Sequence, residues 1–549
     1  MTKHRNSYFR LSRAAIVPLG LLLQAWAVAA EAPITPGSVQ DILGGERPRQ
    51  LSTPPQVLLP LPPPPSVHDP RARRFRVNAF AMSGNTVFRE RQLKRLLERF
   101  VDLELNLNDL NKAADVISEF YHARGYTLAR AVVPAQRVAD GVVHIQIVEG
   151  RIGKLRFSGN RRISEAFLAA RTQQLQPGML VTTQSLERDL LLLNDIPGLS
   201  AKVVLEPGAE FGTTDAEVKL SERLFSGNVT MNNHGRRETG ANKLEATLNL
   251  NSPFGWGDQL SLSGSATQQS LVRYWKAGYS LPLNSLGTRV TVSSSRAAYN
   301  VSGVLAALGI AGEIRTDEIG VSHPFVRSRE SNHTVNIGVR RNHLVQTALG
   351  VPLSDNRLSV LNLQYQINHI HEDSAYTNAS FSVTSNFRQV RTATQQDAVP
   401  ARFEGDVSHT SPFMERWDIY MRGNMVFSKS MLPDTEKFSL GGPGSVRAYR
   451  PSEVRGDSGY VATVELRRPF DVAGRMGMFR VTADAGEVNY KRRGYSDSRD
   501  RLRSAGVGAV FYPLQGLTAS IDIAKAIGGG YAAADGKNHR VWMNVSTSF

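Results

Sequence analysis

The sequence predicts a mostly-β protein, with a 16-stranded antiparallel transmembrane β-barrel preceded by two small α+β modules. Residues 224–549 consist of short alternating segments separated by Gly, Asn, Asp, Ser and Pro, and about sixteen such segments can be counted. Residues 73–223 carry a repeat of about 75 residues, and no run of eighteen or more apolar residues follows residue 30. Because an ordinary membrane helix needs such a run, a membrane role would require a barrel.

The composition excludes cysteine-based chemistry, and the N-terminal residues predict export from the cytoplasm. The chain has 549 residues, 65 Lys plus Arg against 49 Asp plus Glu, and no Cys, which excludes disulfides, thiolate metal sites and Cys nucleophiles. Residues 1–30 combine a basic start, an apolar stretch and the small-residue site Val28-Ala29-Ala30, the pattern of a secretory signal peptide. An uncleaved membrane anchor is the alternative. The basic balance therefore need not indicate nucleic acid.

Two segments connect this signal to the modules. Within residues 31–50, Thr35-Pro36 can start a short helix that ends at Gly44-Gly45. Residues 51–72 are a Pro-rich linker with eight prolines, so an extended spacer is expected there rather than helix or sheet. At about 3.1 Å per residue, about twenty such residues can separate two bodies by about 60 Å.

Each module is predicted to have the order β-α-α-β-β. The turn Ser83-Gly84-Asn85 recurs 75 positions later as Ser158-Gly159-Asn160, which places the modules at 73–150 and 151–223. Three strands per module leave open sheet edges to which an extended peptide could add, and plain structural spacers are the alternative. A helix predicted over 107–124 keeps the core spacing of Leu110, Ala113, Ala114, Ile117 and Phe120.

The last strand shows the barrel pattern most clearly. Phe549 ends it on the apolar face, as expected for the C-terminal signature of a barrel at the membrane interface. Loops such as 348–357 and 389–399 alternate with tighter links such as 282–287. A large soluble β-sandwich or propeller is the alternative, although no blade repeat is visible. The residues predicted on one face are Val541, Met543, Val545, Thr547 and Phe549.

A loop of 26 residues at 432–457 is longer than a compact domain needs for a connection, which favours a function. Its hinge is predicted at Gly441, Gly442 and Gly444, which permit sharp reversals. Its tip is predicted to consist of Val446, Arg447, Ala448 and Tyr449.

Alternation further along the chain supplies inward-facing carboxylates for Arg447. Residues 479–486 place Asp484 toward the lumen together with Thr482 and Gly486, and Glu465 is also inward by alternation. If the loop folds into the barrel, Arg447 could pair with Asp484, with Glu465 as the rival partner. A solvated arginine without a fixed partner is the third possibility.

In the order of its segments, the chain resembles the two-partner secretion transporters (TpsB proteins, including the haemolysin-activator and filamentous-haemagglutinin transporters). These belong to the superfamily of outer-membrane barrels with POTRA domains. The resemblance covers essentially the whole chain after the signal. Val446-Arg447-Ala448-Tyr449 is similar to the family's Val-Arg-Gly-Tyr, with Ala448 in place of Gly. Thr482-Ala483-Asp484-Ala485-Gly486 is similar to Phe-x-Asp-x-Gly, with Thr482 in place of Phe. The resemblance implies a luminal salt bridge between Arg447 and Asp484.

The resemblance also implies a function. It describes a translocator in the Gram-negative outer membrane, with its POTRA domains in the periplasm, that exports a large unfolded exoprotein (TpsA type) recognised through its N-terminal secretion domain. The short helix within 31–50 would plug the resting pore, and the passenger would be an adhesin or cytolysin. Lipid, lipopolysaccharide and the barrel assembly machinery are the further partners expected, with no nucleic acid and no cofactor. An assembly factor that inserts other barrels is the alternative.

An enzyme is not expected. The sequence contains no Gly-x-Ser-x-Gly, no His-Glu-x-x-His and no phosphate-binding loop. His369 and His371 face one side of a strand, with Glu372 or Asp373 nearby, but polar lining is favoured over a metal site. No catalytic, cofactor-binding or metal-ligating residue is therefore predicted.

Overall fold

The computed structural model describes residues 34–43, 57–58, 74–391, 401–491, 497–528 and 531–549, and at 57–58 and 386–391 it describes the backbone. The predicted signal peptide and most of the Pro-rich linker lie outside the described residues. Helix α1 (Pro36–Leu43) and the short strand β1 (Val57–Leu58) precede the modules. Among the described residues, none of the helices combines the length and the apolar character needed to span a bilayer.

The first module encloses its core between two helices and a three-stranded sheet of order β3-β6-β5. Four of the five predicted core residues on α3 are buried, and Phe120 is half-buried against them. Its elements are β2 (Phe75–Val77), β3 (Ala79–Ser83), α2 (Glu90–Leu96), β4 (Leu103–Leu105), α3 (Leu107–His122), β5 (Arg130–Val132) and β6 (Val142–Val148).

The second module repeats this order, and β1 extends its sheet to β1-β8-β9-β7. Strand β1 lies parallel to β8, with Val57 opposite Val203. A residue pair from the linker region therefore occupies one of the sheet edges that the sequence predicts to be open. The elements are β7 (Arg151–Ser158), α4 (Glu165–Ala169), α5 (Thr183–Asn194), β8 (Leu199–Pro207) and β9 (Thr213–Glu222).

A carboxylate at the end of the last strand fixes the repeated Gly-Asn turn in both modules. Glu149 accepts hydrogen bonds from the backbone N–H groups of Thr86 (2.6 Å) and Val87 (2.8 Å), and from the Tyr121 hydroxyl (2.9 Å). In the second module, Glu222 accepts in the same way from the backbone of residues 161–163. The sequence repeat thus corresponds to a repeated turn-to-strand contact.

Sixteen antiparallel strands close into a barrel, and this confirms the fold class. The strands are β10 (Phe225–Asn232), β11 (Lys243–Asn251), β12 (Gln259–Thr267), β13 (Val272–Pro282), β14 (Arg289–Asn300), β15 (Ala311–Arg327), β16 (Ser331–Ala348), β17 (Val351–Ile370), β18 (Tyr376–Arg391), β19 (Arg402–Pro412), β20 (Asp418–Ser428) and, after the short loop strands β21 (Phe438–Leu440) and β22 (Val454–Gly456), β23 (Ser458–Val472), β24 (Arg475–Tyr490), β25 (Ser498–Leu514), β26 (Leu517–Ala526) and β27 (His539–Ser548).

Alternate residues of these strands face outward and form an exposed apolar band. On β24, Phe479 and Val481 are about half exposed, whereas Thr482 and Asp484 face inward and are buried. On β27, Val541, Met543 and Val545 are exposed on the outer face, as their alternation predicts. The modules adjoin the barrel end that contains the turns after β11, β13 and β15, where Arg327 forms two hydrogen bonds with Asp195 of the second module.

One predicted loop is wrong. Residues 351–357 belong to β17, and only 349–350 separate it from β16, because the backbones pair up to Ala348 and Val351. The outward residues of this stretch change from apolar Val351 and Leu353 to charged Asp355 and Arg357, so the hydrophobic alternation is interrupted within the strand. Hydrogen bonding across the ladder, which the amino-acid pattern does not report, extends the sheet here.

Candidate functional site in the barrel lumen

The long loop between β20 and β23 folds into the barrel as a hairpin. Its strands β21 and β22 pair with each other, and Leu440 lies opposite Val454. The loop side chains form a buried apolar cluster with the inner wall, which includes Val461, Val488 and Leu502. Burial of this apolar surface holds the loop inside the lumen.

Two of the three glycines predicted as the loop hinge have a backbone conformation that favours glycine. Gly441 and Gly442 have φ of 103° and 100°, a region that residues with a Cβ rarely adopt. A Cβ on Gly441 would also lie 2.2 Å from the carbonyl oxygen of Arg450. Gly444 does not have a positive φ, and its carbonyl accepts a hydrogen bond from Arg422.

At the tip of the loop, Arg447 contacts the barrel wall and the adjacent loop residues are buried. Val446 and Ala448 are fully buried, and Tyr449 is nearly so. The backbone carbonyl of Arg447 accepts a hydrogen bond of 2.7 Å from the indole N–H of Trp542 on β27. The absence of a larger side chain at Ala448 is consistent with its complete burial.

Arg447 contacts both carboxylates that the sequence leaves as alternatives. Its Nη1 lies 3.1 Å from Oδ1 of Asp484, and its backbone N–H donates to Oδ2 of Asp484 at 3.2 Å. Its Nη2 donates to Glu465. Asp484 and Glu465 are rivals in the sequence but joint partners in the structure, because β23 and β24 are neighbouring strands.

The wall around these acids satisfies their remaining oxygens. Asp484 also accepts hydrogen bonds from the hydroxyls of Thr463 (3.0 Å) and Ser504 (2.8 Å). Glu465 accepts one from Nε of Arg467 at 2.8 Å. Because a buried charge is costly unless it is paired and hydrogen-bonded, the site is built to hold a cation from the loop.

Thr482 and Gly486 flank Asp484 on the inner face of β24. Thr482 lies directly opposite Glu465 in the ladder and is buried. A Cβ on Gly486 would approach the carbonyl oxygen of Tyr460 to 2.7 Å and the side chain of Leu440 to 2.9 Å. Glycine at this position therefore lets the loop strand lie against the wall.

A second ionic cluster, which sequence reasoning did not find, joins the loop to the first turn of the barrel. Arg450 contacts Glu453 at 3.0 Å and Glu238 at 2.8 Å. Arg236 also contacts Glu238, and all four side chains are buried. Acidic residues in a loop carry no alternation, so no sequence signal distinguishes Glu238 from a solvated side chain.

Helix α1 lies inside the barrel against the same loop. Arg455 of β22 contacts Asp41 of the helix at 2.9 Å and Asp434 of the loop at 2.6 Å. Asp434 also accepts a hydrogen bond of 2.6 Å from the backbone N–H of Gly37. At the other end of α1, Nζ of Lys243 donates to the carbonyl of Ile42 at 2.8 Å, where a cation suits the helix dipole.

The apolar face of α1 packs on the barrel wall. Val39 of the helix and Ile34, which precedes it, are buried against Val272 of β13, Tyr299 of β14 and Val301, which follows β14. A helix of eight residues is not stable alone in water, so these contacts and the ionic bridge determine its presence.

Phe549 completes the seam between the first and the last strand. Its N–H and C=O form two hydrogen bonds of 3.0 Å with Gly227. Its ring lies over the same residue, since a Cβ on Gly227 would be 2.8 Å from it. The predicted terminal signature thus takes part in closure of the barrel.

The histidine pair lies on the outer side of the barrel. His369 and His371 follow the outward positions of β17, with ring centroids 4.5 Å apart, and Nε2 of His371 is 2.8 Å from the hydroxyl of Thr377. Within the described ranges, no group of three or more His, Asp or Glu side chains has the arrangement of a metal site. The described residues therefore give no support to a metal centre at this pair.

Comparisons with known proteins identify the family. Residues 212–511 match the family described as haemolysin secretion/activation protein ShlB/FhaC/HecB, and residues 75–150 match the POTRA domain, ShlB-type. The heme/hemopexin transporter protein HuxB of Haemophilus influenzae strain 86-028NP is 23% identical over 480 residues, covering 83% of this chain and 84% of the relative.

Two solved structures share the fold. CdiB from Escherichia coli matches 99% of this chain and 100% of its own chain, with a TM-score of 0.69 and 21% identity. BamA from Haemophilus ducreyi lacking POTRA domains 1–3 matches 86% of this chain and 100% of its own, with a TM-score of 0.54 and 16% identity. The chain belongs to the haemolysin secretion/activation (ShlB/FhaC/HecB) family, and it is an outer-membrane two-partner secretion transporter with periplasmic POTRA structure.

Proposed function

We propose that the loop 432–457 and helix α1 together close the resting pore, and that both must move before the exoprotein passes. The observation that carries this proposal is the position of Arg455, which contacts the helix through Asp41 and the loop through Asp434. The loop tip is held at the same time by Arg447 on Asp484 and Glu465. Helix α1, as the plug, and the loop are thereby connected by ion pairs inside the lumen.

The passenger is captured in the periplasm by strand addition to the POTRA sheets. Support comes from β1, which already occupies the edge of β8 in a parallel register. In the described chain β1 pairs only with Val203 and Val204 of the nine-residue strand β8, so an extended peptide could bind along this edge by displacing β1. The N-terminal secretion domain of the exoprotein would supply that peptide.

The domain plan proposed for the mature chain keeps the sequence boundaries. It has the plug helix within 31–50, the linker at 51–72, POTRA domains at 73–150 and 151–223, and the barrel at 224–549. The signal peptide at 1–30 would be removed during export. The passenger is an adhesin or a cytolysin, and neither transport nor the site described requires a catalytic residue or a cofactor.

Lipopolysaccharide and the barrel assembly machinery are the further partners of the proposal. Both follow from placement in the outer membrane, and the exposed apolar band of the barrel provides the lipid contact.

Assembly of other barrels is the second candidate function. One observation favours it, since β10 and β27 share only five register pairs, whereas every other adjacent barrel pair in the described chain shares at least eight. A weak seam could open sideways toward lipid. The backbone bonds of Phe549 to Gly227 close that seam at the periplasmic end, which supports secretion instead.

Co-expression with a candidate partner, a large exoprotein with an N-terminal secretion domain, tests the function. Wild type should deliver the exoprotein to the medium or surface, and Arg447→Ala should abolish delivery while the barrel remains folded in the membrane. Arg468→Ala, at an exposed position near Trp417, is the matched control and should export normally. Normal export by Arg447→Ala would show that the loop tip is not required for export.

A further inference from the structure

A row of arginines faces outward on β13–β17, directly beyond the apolar band. On β15, Ile319 belongs to the exposed apolar band, and Arg315 lies four residues further toward the extracellular end on the same face. Strands β16 and β17 have 18 and 20 residues, whereas about 9–11 residues suffice to cross the hydrocarbon. The outer parts of these strands therefore project past the hydrocarbon into the headgroup layer.

The strand register aligns the cations laterally. Arg296 lies opposite Arg315, Arg315 opposite His343, and His343 opposite Arg357. Neighbouring strands are about 4.8 Å apart, so the row extends about 14 Å around the barrel. Like charges placed directly opposite each other destabilise a sheet unless anions lie between them.

The protein neutralises only part of this charge. Glu313 contacts Arg296 at 2.6 Å and also contacts Arg315, and Asp355 contacts His343 at 2.9 Å. Asp317 faces the same side but bonds to the hydroxyl of Ser294. The outward charges of β13–β17 therefore comprise three acids against five arginines.

Three of these arginines keep their guanidinium groups available. Arg273, Arg341 and Arg357 are exposed, and among the side chains that the structure describes they have no hydrogen bond or ion pair. Guanidinium groups bind phosphate through two parallel hydrogen bonds, which suits an anionic headgroup better than water alone.

We infer that this face, defined by Arg273, Arg296, Arg315, Arg341 and Arg357, binds the phosphate groups of lipid A in the outer leaflet. The inference deepens the proposal that lipopolysaccharide is a partner and depends on the outer-membrane placement. The lateral row is wide enough for a headgroup with more than one phosphate. Acyl chains would then lie on the apolar band below, beside Ile319, Val339 and Leu361.

The test uses the full-length protein in detergent and native mass spectrometry with bisphosphorylated lipid A. For the triple variant Arg273→Ser, Arg341→Ser, Arg357→Ser, lipid A affinity is expected to fall about tenfold or more. A matched control removes the same charge from POTRA residues outside the membrane, as Arg91→Ser, Arg95→Ser, Arg99→Ser, and should bind like wild type. The single variant Arg341→Gln should show a smaller loss if the triple variant does not fold.

Further measurements identify the ligand and distinguish this inference from the secretion function. Dephosphorylated lipid A, phosphatidylglycerol and inorganic phosphate should each bind at least about tenfold more weakly than bisphosphorylated lipid A. Equal binding of any of them, or unchanged lipid A binding by the folded triple variant, would overturn the inference. Export of the exoprotein by the triple variant should persist, because none of its residues lies in the lumen. Loss of lipid A binding with normal export would therefore support the inference independently of the proposed transport mechanism.

Discussion

At the scale of single residues, the two acids around Arg447 are expected to contribute unequally. Asp484 accepts both the guanidinium and the backbone N–H of Arg447, whereas Glu465 shares its charge with Arg467. Asp484→Asn should therefore release the loop more than Glu465→Gln, and removing one partner of a buried pair costs roughly 3–5 kcal/mol. Channel conductance in planar bilayers should rise in the order wild type, Glu465→Gln, Asp484→Asn. The reverse order would assign the main anchor to Glu465.

The residues alone leave Asp484 and Glu465 as alternative partners of Arg447, and only the family resemblance implies the pair with Asp484. Alternation along β24 is strict, so the inward position of Asp484 follows directly from the exposed Phe479 and Val481. The joint role of Glu465 requires knowledge that β23 neighbours β24. Asp434 and Glu238 lie in loops, where no periodicity indicates which side chains turn inward.

Asp189 in the second POTRA module should make stability depend on pH. Burial raises the pKa of Asp189 to about 6, despite a hydrogen bond from the N–H of Gln174. The folded state therefore holds the proton more tightly than the unfolded chain, so stability is greatest below the unfolded pKa and falls as pH rises through about 6. The loss between pH 4 and pH 8 is at most about 3 kcal/mol.

The measurement is hydrogen exchange of helix α5 in the full-length protein between pH 4 and pH 8, corrected for the intrinsic exchange rate. Protection of α5 in wild type should decrease across this range, and Asp189→Asn should flatten the profile because amide and protonated acid are both neutral. Parallel profiles for the two proteins would show that Asp189 does not titrate in this range.

At the scale of elements, docking rather than helix propensity determines whether α1 stays in the barrel. A Cβ on Gly37 would lie 2.4 Å from the guanidinium nitrogens of Arg455 and 2.5 Å from the carbonyl oxygen of Asp434. Gly37→Ala should strengthen the isolated helix by about 1 kcal/mol but displace it from the loop. The expected result is a higher resting conductance despite a better helix.

Gln40→Ala provides the control on the same helix, since it also raises helix propensity without adding an atom near Arg455. Its conductance should stay close to that of wild type. If Gly37→Ala closed the channel more tightly than wild type, the helix would be held by propensity and the close approach to Arg455 would be unimportant.

At the scale of the whole molecule, the fold connects three regions of the chain through the lumen. Helix α1 precedes the POTRA domains, yet it contacts the loop 432–457 almost four hundred residues later, with 397 positions between Gly37 and Asp434. The short strand β1 meanwhile contacts the second POTRA sheet. A strand added at that sheet edge would compete with β1 and so act on the segment that leads to the plug. Periodicity in the sequence predicts the bodies, but such contacts between them have no local signature.

Arg455 is expected to act on conductance only through α1. Arg455→Ala leaves Asp41 without its cation and removes two hydrogen bonds to Asp434, so α1 should leave the pore more often and resting conductance should rise. Deletion of residues 31–50 should raise conductance further, because the helix is then absent altogether. In the deleted protein, Arg455→Ala should add nothing, because its remaining partner Asp434 lies in the same loop, whose tip Arg447 still holds on the wall. An additional rise there would mean that Arg455 holds the loop itself, and unchanged conductance after the deletion would remove the plug from the mechanism.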